Sequence, residues 1–259
     1  MILTLDIGNS NIVMGIFDGG KLALVSRLHT NAISTGDEYA VTISSILGIN
    51  GLSAGGFSGG IISSVVPKLT NVLRDSCRSL LKCRMLLVSS GIKTGINIQT
   101  DNPSVLGSDF VCAAAGAAAH YRLPCVIADL GTATKFSAVK KGGVFAGTSI
   151  MPGVNISLDA LAAKTAQLPH IGLDGATPPL VGTNTVDSMR SGIIYGTAAT
   201  VDGMIELYRR ELGEETEAIA TGGVASAIIP HCRQKIILDS DLILKGLYEI
   251  YKKNSHAEN

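Results

Sequence analysis

Short apolar runs broken by polar turns open the chain. Residues 2–6, 12–17 and 22–28 have strand-like length, and Asp18-Gly19-Gly20 between the last two is a strong hairpin signal, because the favoured tight turns need positive φ. The period then lengthens. Residues 38–47 repeat apolar positions at helical spacing, 60–66 form a buried-strand run, Pro67 opens a helix reaching about residue 81, and 85–88 read as a strand. The second half runs through a similar order. An Ala-rich helix over 108–121 leads into a strand at 125–129, followed by strands at 136–139 and 144–150 separated by Lys140-Lys141-Gly142-Gly143. A helix after Pro152-Gly153, a Gly- and Pro-rich loop at 172–184, a long helix over 186–212, a strand at 218–221 and closing helices complete it. Hairpins followed by strands alternating with helices, twice over, predict an α/β chain of two similar lobes, 1–120 and 121–259, with the boundary near 118–123.

The long helix carries Gly192, Gly196 and Gly203. Each costs about 1 kcal/mol relative to Ala in a helix interior, so something must offset them. Close backbone approach is the physical candidate, supplied either by a second subunit or by packing within the second lobe.

Composition narrows the partners. The chain has 259 residues, room for one large or two modest domains, and 46% of them are hydrophobic. Acidic and basic residues balance at 21 each, which leaves no electrostatic footprint for nucleic acid or an anionic membrane and favours a small-molecule partner. No stretch approaches the roughly 20 apolar residues of a membrane span, and the chain enters a strand at once, so a soluble, unexported, cytoplasmic protein is expected. Cys77, Cys83, Cys112, Cys125 and Cys232 are odd in number and lack metal-ligand spacing, as expected of reduced core thiols. His29, His120, His170, His231 and His256 show no clustered ligand spacing either.

Two segments bring chemistry into view. Asp6-Ile7-Gly8-Asn9-Ser10-Asn11 and Asp129-Leu130-Gly131-Thr132-Ala133-Thr134 each follow a strand-like run. Such a turn lets backbone N–H groups face a phosphate while the carboxylate faces a cation, although Asp and Asn also satisfy turn backbone without any ligand. Repetition favours the first account and predicts a nucleotide phosphate between the lobes. Neither a P-loop nor a Gly-x-Gly-x-x-Gly strand-to-helix turn is present. At Gly107-Ser108-Asp109, before the Ala-rich helix, two readings stand side by side. Ser108 caps the helix with Asp109 complementing its dipole, or Asp109 takes the proton from a substrate hydroxyl during phosphoryl transfer. Gly222-Gly223 is a close-approach turn suited to a nucleoside passing over backbone, or a plain strand-to-helix turn.

At these motifs the chain resembles the type III pantothenate kinases of the acetate kinase, sugar kinase and actin superfamily. The resemblance spans nearly the whole chain. It also includes Ser63-Ser64-Val65-Val66-Pro67, Asp101-Asn102-Pro103, Met151-Pro152-Gly153, Gly182-Thr183-Asn184-Thr185, Ala220-Thr221-Gly222-Gly223 and Leu244-Lys245-Gly246-Leu247. It implies a duplicated ribonuclease H-like (actin-like ATPase) fold, a homodimer formed through the long helix, and ATP-dependent phosphorylation of pantothenate to 4'-phosphopantothenate, the first step of coenzyme A synthesis. Carried over by position, Asp6, Gly8, Asn9, Ser10, Asn11, Val13 and Thr132 would hold ATP. Asp129 would bind a monovalent cation, K+ or NH4+. Asp109 would be the base, with Thr100, Gly107, Ser108, Phe110 and Thr185 toward pantothenate, and Mg2+ would accompany ATP.

The sequence departs from the family pattern at four positions. Phe110 stands where the family usually has Arg, and cannot clamp an anion by charge-assisted hydrogen bonds. Lys135-Phe136-Ser137 replaces the common Thr-Phe-Asp, a local change of about two charges, enough to disturb a cation site. Thr100 replaces a frequent Tyr. These changes admit tolerated variation in a working kinase. They also admit an impaired paralogue acting as a nucleotide-binding regulator or a kinase for another hydroxylated acceptor.

Overall fold

A computed structural model describes residues 1–255, so His256 lies outside the described residues. Its elements begin with β1 (Ile2–Ile7), β2 (Asn11–Asp18), β3 (Lys21–His29), α1 (Gly36–Ile49), β4 (Gly59–Ser64), α2 (Pro67–Leu81), β5 (Met85–Leu87) and β6 (Asn97–Ile98). Then come α3 (Ser108–His120), β7 (Cys125–Leu130), β8 (Ala133–Lys140), β9 (Val144–Pro152), α4 (Val154–Lys164) and α5 (Thr185–Leu212). The series closes with β10 (Glu217–Thr221), α6 (Ala225–Ile228), β11 (Ile237–Leu238) and α7 (Leu242–Ser255). Mixed α/β structure is as expected; the two-residue strands β6 and β11 are too short to leave a periodic trace.

The first compact unit comprises, among the described residues, Met1–Ile96, Asp101–Ala119 and Leu242–Ser255. Its sheet runs β3-β2-β1-β4-β5, with β1 antiparallel to β2 and parallel to β4. Leu3, Leu5 and Ile7 of β1 are fully buried and pack with Tyr39, Ile43 and Leu47 of α1 and Leu69, Leu73 and Cys77 of α2. Local chemistry fixes the helix ends: Thr35 and Glu38 form a capping box at the start of α1, and Pro67 occupies the first turn of α2, where no backbone donor is needed.

The second unit comprises Asn97–Thr100 and His120–Asp241. Its sheet runs β11-β10-β7-β8-β9-β6. Without the short β6, the strand order and directions repeat those of the first sheet: a three-stranded antiparallel meander whose first strand, β7, pairs in parallel with β10. Val126, Ala128, Leu130 and Phe136 form its core with Leu158 of α4 and Ile194, Ala198, Val201 and Ile205 of α5.

The units differ from the predicted lobes in two places: Asn97–Thr100, expected in the first lobe, belongs to the second unit, and the last helix changes sides the other way. Helix α7, expected in the second lobe, completes the first. A Cβ on Gly246 would collide with the carbonyl of Cys112 in α3, one on Gly116 would collide with that of Leu242, and Tyr248 stacks on Phe17 with ring centroids 4.3 Å apart. Such long-range packing has no local signature. The α5 glycines also resolve one alternative, since a Cβ on Gly192, Gly196 or Gly203 would meet nothing within 4 Å among the described residues. Packing within the second unit therefore does not account for them. All five cysteines are free thiols, and burial pushes Cys77 and Cys125 up to about 12. Among the described residues no helix is long and apolar enough to cross a membrane.

Candidate active site

In the first unit the candidate residues gather at the carboxyl ends of β1 and β4, where α/β sheets present ligand sites. Asp6 pairs in register with Val13 of β2 and Ser63 of β4. Beyond it, the Gly8 N–H donates to the Asn11 carbonyl at 3.0 Å. The Thr30 hydroxyl donates to the Gly8 carbonyl at 2.7 Å, and the Thr30 N–H to the Ser10 carbonyl at 3.1 Å. This framework pins the turn from beneath and leaves Asn9, Ser10 and Asn11 exposed at its tip.

At the start of α3 the structure replaces the capping account of Ser108. The Ser108 hydroxyl accepts from the Ser64 N–H at 3.0 Å, donates to the Ser64 carbonyl at 3.1 Å and lies 2.9 Å from the Ser63 hydroxyl. It thus ties the helix to β4 instead of serving its own first turn. A Cβ on Gly107 would press on Oδ1 of Asp109, an oxygen sealed from solvent, so any side chain there would displace that carboxylate. Burial pushes the Cys112 thiol well above its ordinary range, and the negative charges of Asp6 and Asp109 push the same way, which sets both carboxylates about this thiol. Asp6, Ser63, Ser108 and Asp109 therefore form one neighbourhood. Ser63 and Ser64 entered the sequence argument only through a motif; two hydroxyls ending an otherwise apolar buried strand were the available signal.

The second unit carries the other candidates. Asp129 pairs in register with Lys135 of β8 and Thr221 of β10. The Lys135 Nζ lies 2.7 Å from Asp129 Oδ2, with the two side chains only 14% and 13% exposed. Thr132 is exposed at the turn, whereas Thr134 is buried in the sheet. Gly153 backs directly onto the carbonyls of Gly131 and Thr132, where any Cβ would collide. Gly222, at φ +101°, would place a Cβ 2.5 Å from the Leu130 backbone, so its close approach is accounted for within the sheet; a Cβ on Gly223 would meet nothing within 4 Å among the described residues. Thr185 begins α5 behind the cap Asn184, whose side chain accepts from the Asp187 N–H at 2.9 Å. It borders a cavity of about 570 Å³ with Leu168, Gly182, Thr183 and Ser188. The Thr100 hydroxyl is buried and has no hydrogen-bond partner among the described residues. Phe110 is half-buried in the first unit, one position past Asp109.

Other conspicuous features serve different ends. Buried Asp202 accepts the N–H groups of Arg233 and Gln234, and Asp239 accepts the Tyr121 hydroxyl, so both are structural acids. A larger cavity, about 1100 Å³, is lined by Arg74, Arg78, Lys82 and Arg84. It lies where parallel β5 begins, at the sheet edge opposite Asp6, away from the candidate chemistry.

Cation chemistry separates the two acids. No group of three or more His, Cys, Asp or Glu side chains is placed to hold a metal among the described residues. Mg2+ needs none, since it retains water and takes one or two carboxylates besides substrate phosphates, a donor set that Asp6 fits. K+ at Asp129 does not fit. A second unit charge about 4 Å from the Lys135 ammonium would be repelled by roughly 4 kcal/mol at an effective dielectric near 20.

Two sheets of one strand order, each with an acid and a glycine turn after its first strand, define the actin-like ATPase fold. The same architecture occurs in component A of (R)-2-hydroxyglutaryl-CoA dehydratase from Acidaminococcus fermentans, with a TM-score of 0.56, 15% identity and 99% of each chain covered. It occurs again in MreB 5 of Spiroplasma citri bound to AMPPNP, with a TM-score of 0.53, 11% identity and coverage of 98% of this chain and 96% of that one. The sequence profile of type III pantothenate kinase matches residues 2–207. Type III pantothenate kinases of Rubrobacter xylanophilus and Halalkalibacterium halodurans are 38% and 40% identical, covering 98% of this chain and 98% and 100% of theirs. The chain belongs to the type III pantothenate kinase family.

Proposed function

We propose that this kinase moves the γ-phosphoryl group of ATP to the primary hydroxyl of pantothenate, giving 4'-phosphopantothenate for coenzyme A synthesis, with Asp109 as general base. The observation that carries this reading is the Ser64–Ser108 tie, which fixes the first turn of α3 beside the end of β1 and so sets Asp109 near Asp6. Phosphoryl transfer asks chiefly for positioning and charge stabilisation, so one well-placed carboxylate suffices to take the hydroxyl proton. The Asp6–Val13 hairpin and Thr132 orient the phosphates, the exposed Asn9-Ser10-Asn11 tip supplying polar groups on a frame already pinned by Thr30. Asp6 would be a protein ligand for Mg2+, which would accompany ATP and neutralise charge on the transferring group. Thr100, Gly107, Ser108, Phe110 and Thr185 are assigned to pantothenate, Phe110 offering an apolar wall where an Arg would offer charge.

The decisive assay is ADP release dependent on pantothenate. Asp109→Asn is expected to lower kcat by about 10²–10⁴ while MgATP affinity by calorimetry stays within the wild-type range. Full turnover by that variant would place the base elsewhere, and ATP binding without turnover by the unaltered chain would favour the impaired paralogue.

The working form is a homodimer built on α5. Gly192, Gly196, Ala199 and Gly203 share one exposed helix face with Leu207, which is 55% exposed. Small residues on one face allow a second helix to approach closely, which offsets the cost of three mid-helix glycines. The cytoplasm, where free thiols stay reduced, is the compartment in which this reaction is placed.

A further inference from the structure

The Asp129–Lys135 pair occupies the position that the resemblance assigned to a monovalent cation. The antiparallel register of β7 and β8 puts the two residues opposite each other, and the 2.7 Å separation is that of a charge-assisted hydrogen bond. An ammonium has the charge of potassium and closely similar size, and the lysine nitrogen brings three donors of its own. Both side chains are largely withdrawn from solvent, so the pair is weakly screened by salt. Ser137 lies two residues along β8, on the same strand face as Lys135, and is buried. Ser137 is neutral where the family commonly has Asp, so this position adds no acid of its own beside the pair.

We propose that Lys135 is a tethered substitute for the monovalent cation, so that this kinase reaches its full rate without added potassium or ammonium. Lys135 acts through Asp129 and the Gly131-Thr132 turn that follows it, and is a positioning residue. The inference rests on the kinase reading above, and two readouts keep their failures apart. Pantothenate-dependent ADP release is compared in potassium, ammonium and choline chloride at equal ionic strength, for the wild type and Lys135→Thr. Thermal unfolding of both proteins is followed in the same salts with MgATP. Wild-type turnover should agree across the salts within about twofold, whereas Lys135→Thr should lose about tenfold in choline and regain rate as potassium is added. Potassium should raise the melting temperature of Lys135→Thr over choline, and leave the wild type unmoved. The thermal readout holds even if the chain phosphorylates a different acceptor. Wild-type dependence on potassium in either readout overturns the proposal, whether or not the variant folds. A folded Lys135→Thr indifferent to potassium in both also overturns it and makes the pair a plain structural ion pair.

Discussion

At the end of β1, Asp6 has Val13 and Ser63 as register partners; at the end of β7, Asp129 has Lys135 and Thr221. The turns that follow differ as well. Residues 8–11 separate the paired Ile7 and Ile12, while only 131–133 separate Leu130 and Thr134. The first turn is held by hydrogen bonds from Thr30 and keeps a polar tip exposed. The second is walled by the backbones around Gly153 and Gly222. One inherited device thus serves two ends: a polar cradle in the first unit, and in the second a rigid hairpin whose acid is matched by a lysine.

The comparison is tested most severely by removing the acid of the paired turn. Asp129→Asn leaves the Lys135 ammonium largely buried without its carboxylate, and a destabilisation of about 3–5 kcal/mol is expected in denaturant unfolding. A loss under about 1 kcal/mol would show that the pair behaves like an exposed one. Next comes a transplant. Val13→Lys recreates in the first hairpin the charge arrangement of the second, and should raise the KM for MgATP by about tenfold as the new ammonium competes for Asp6. An unchanged KM would remove Asp6 from the nucleotide site. The smallest effect concerns the face of α5. In an isolated protomer Gly196→Ala has room for its methyl and should gain about 0.5–1 kcal/mol, but across a close dimer interface it should instead weaken association in sedimentation equilibrium. A stabilised variant with unchanged association would place the dimer contact elsewhere.

Much of the framework was legible because its signals are local. Asp18-Gly19-Gly20 marked the turn between β2 and β3, and Pro67 marked the first residue of α2. The two Asp-x-Gly turns announced the duplication that the repeated strand order makes plain. What escaped depends on residues distant in sequence. The bond from Ser108 to Ser64 spans 44 positions, and no helix-capping rule could reveal that the hydroxyl would serve a strand instead. Gly153 was visible as the residue before a helix and as the end of a family motif, neither of which revealed that the Thr132 turn sits against it. Lys135 was recognised as a charge change, but its aim at Asp129 became concrete only once the register was known.

The position of α7 also bears on how the polypeptide is made. Synthesis runs from the amino end, so the stretch His120–Asp241, nearly all of the second unit, leaves the ribosome before the helix that fills the gap over Cys112 and Gly116. The first unit begins earliest and is finished last. A released chain truncated after Asp241 is expected to carry a protease-resistant second unit beside a first unit that remains open to cleavage, because closure of the Asp6 and Asp109 neighbourhood awaits the helix that contains Gly246.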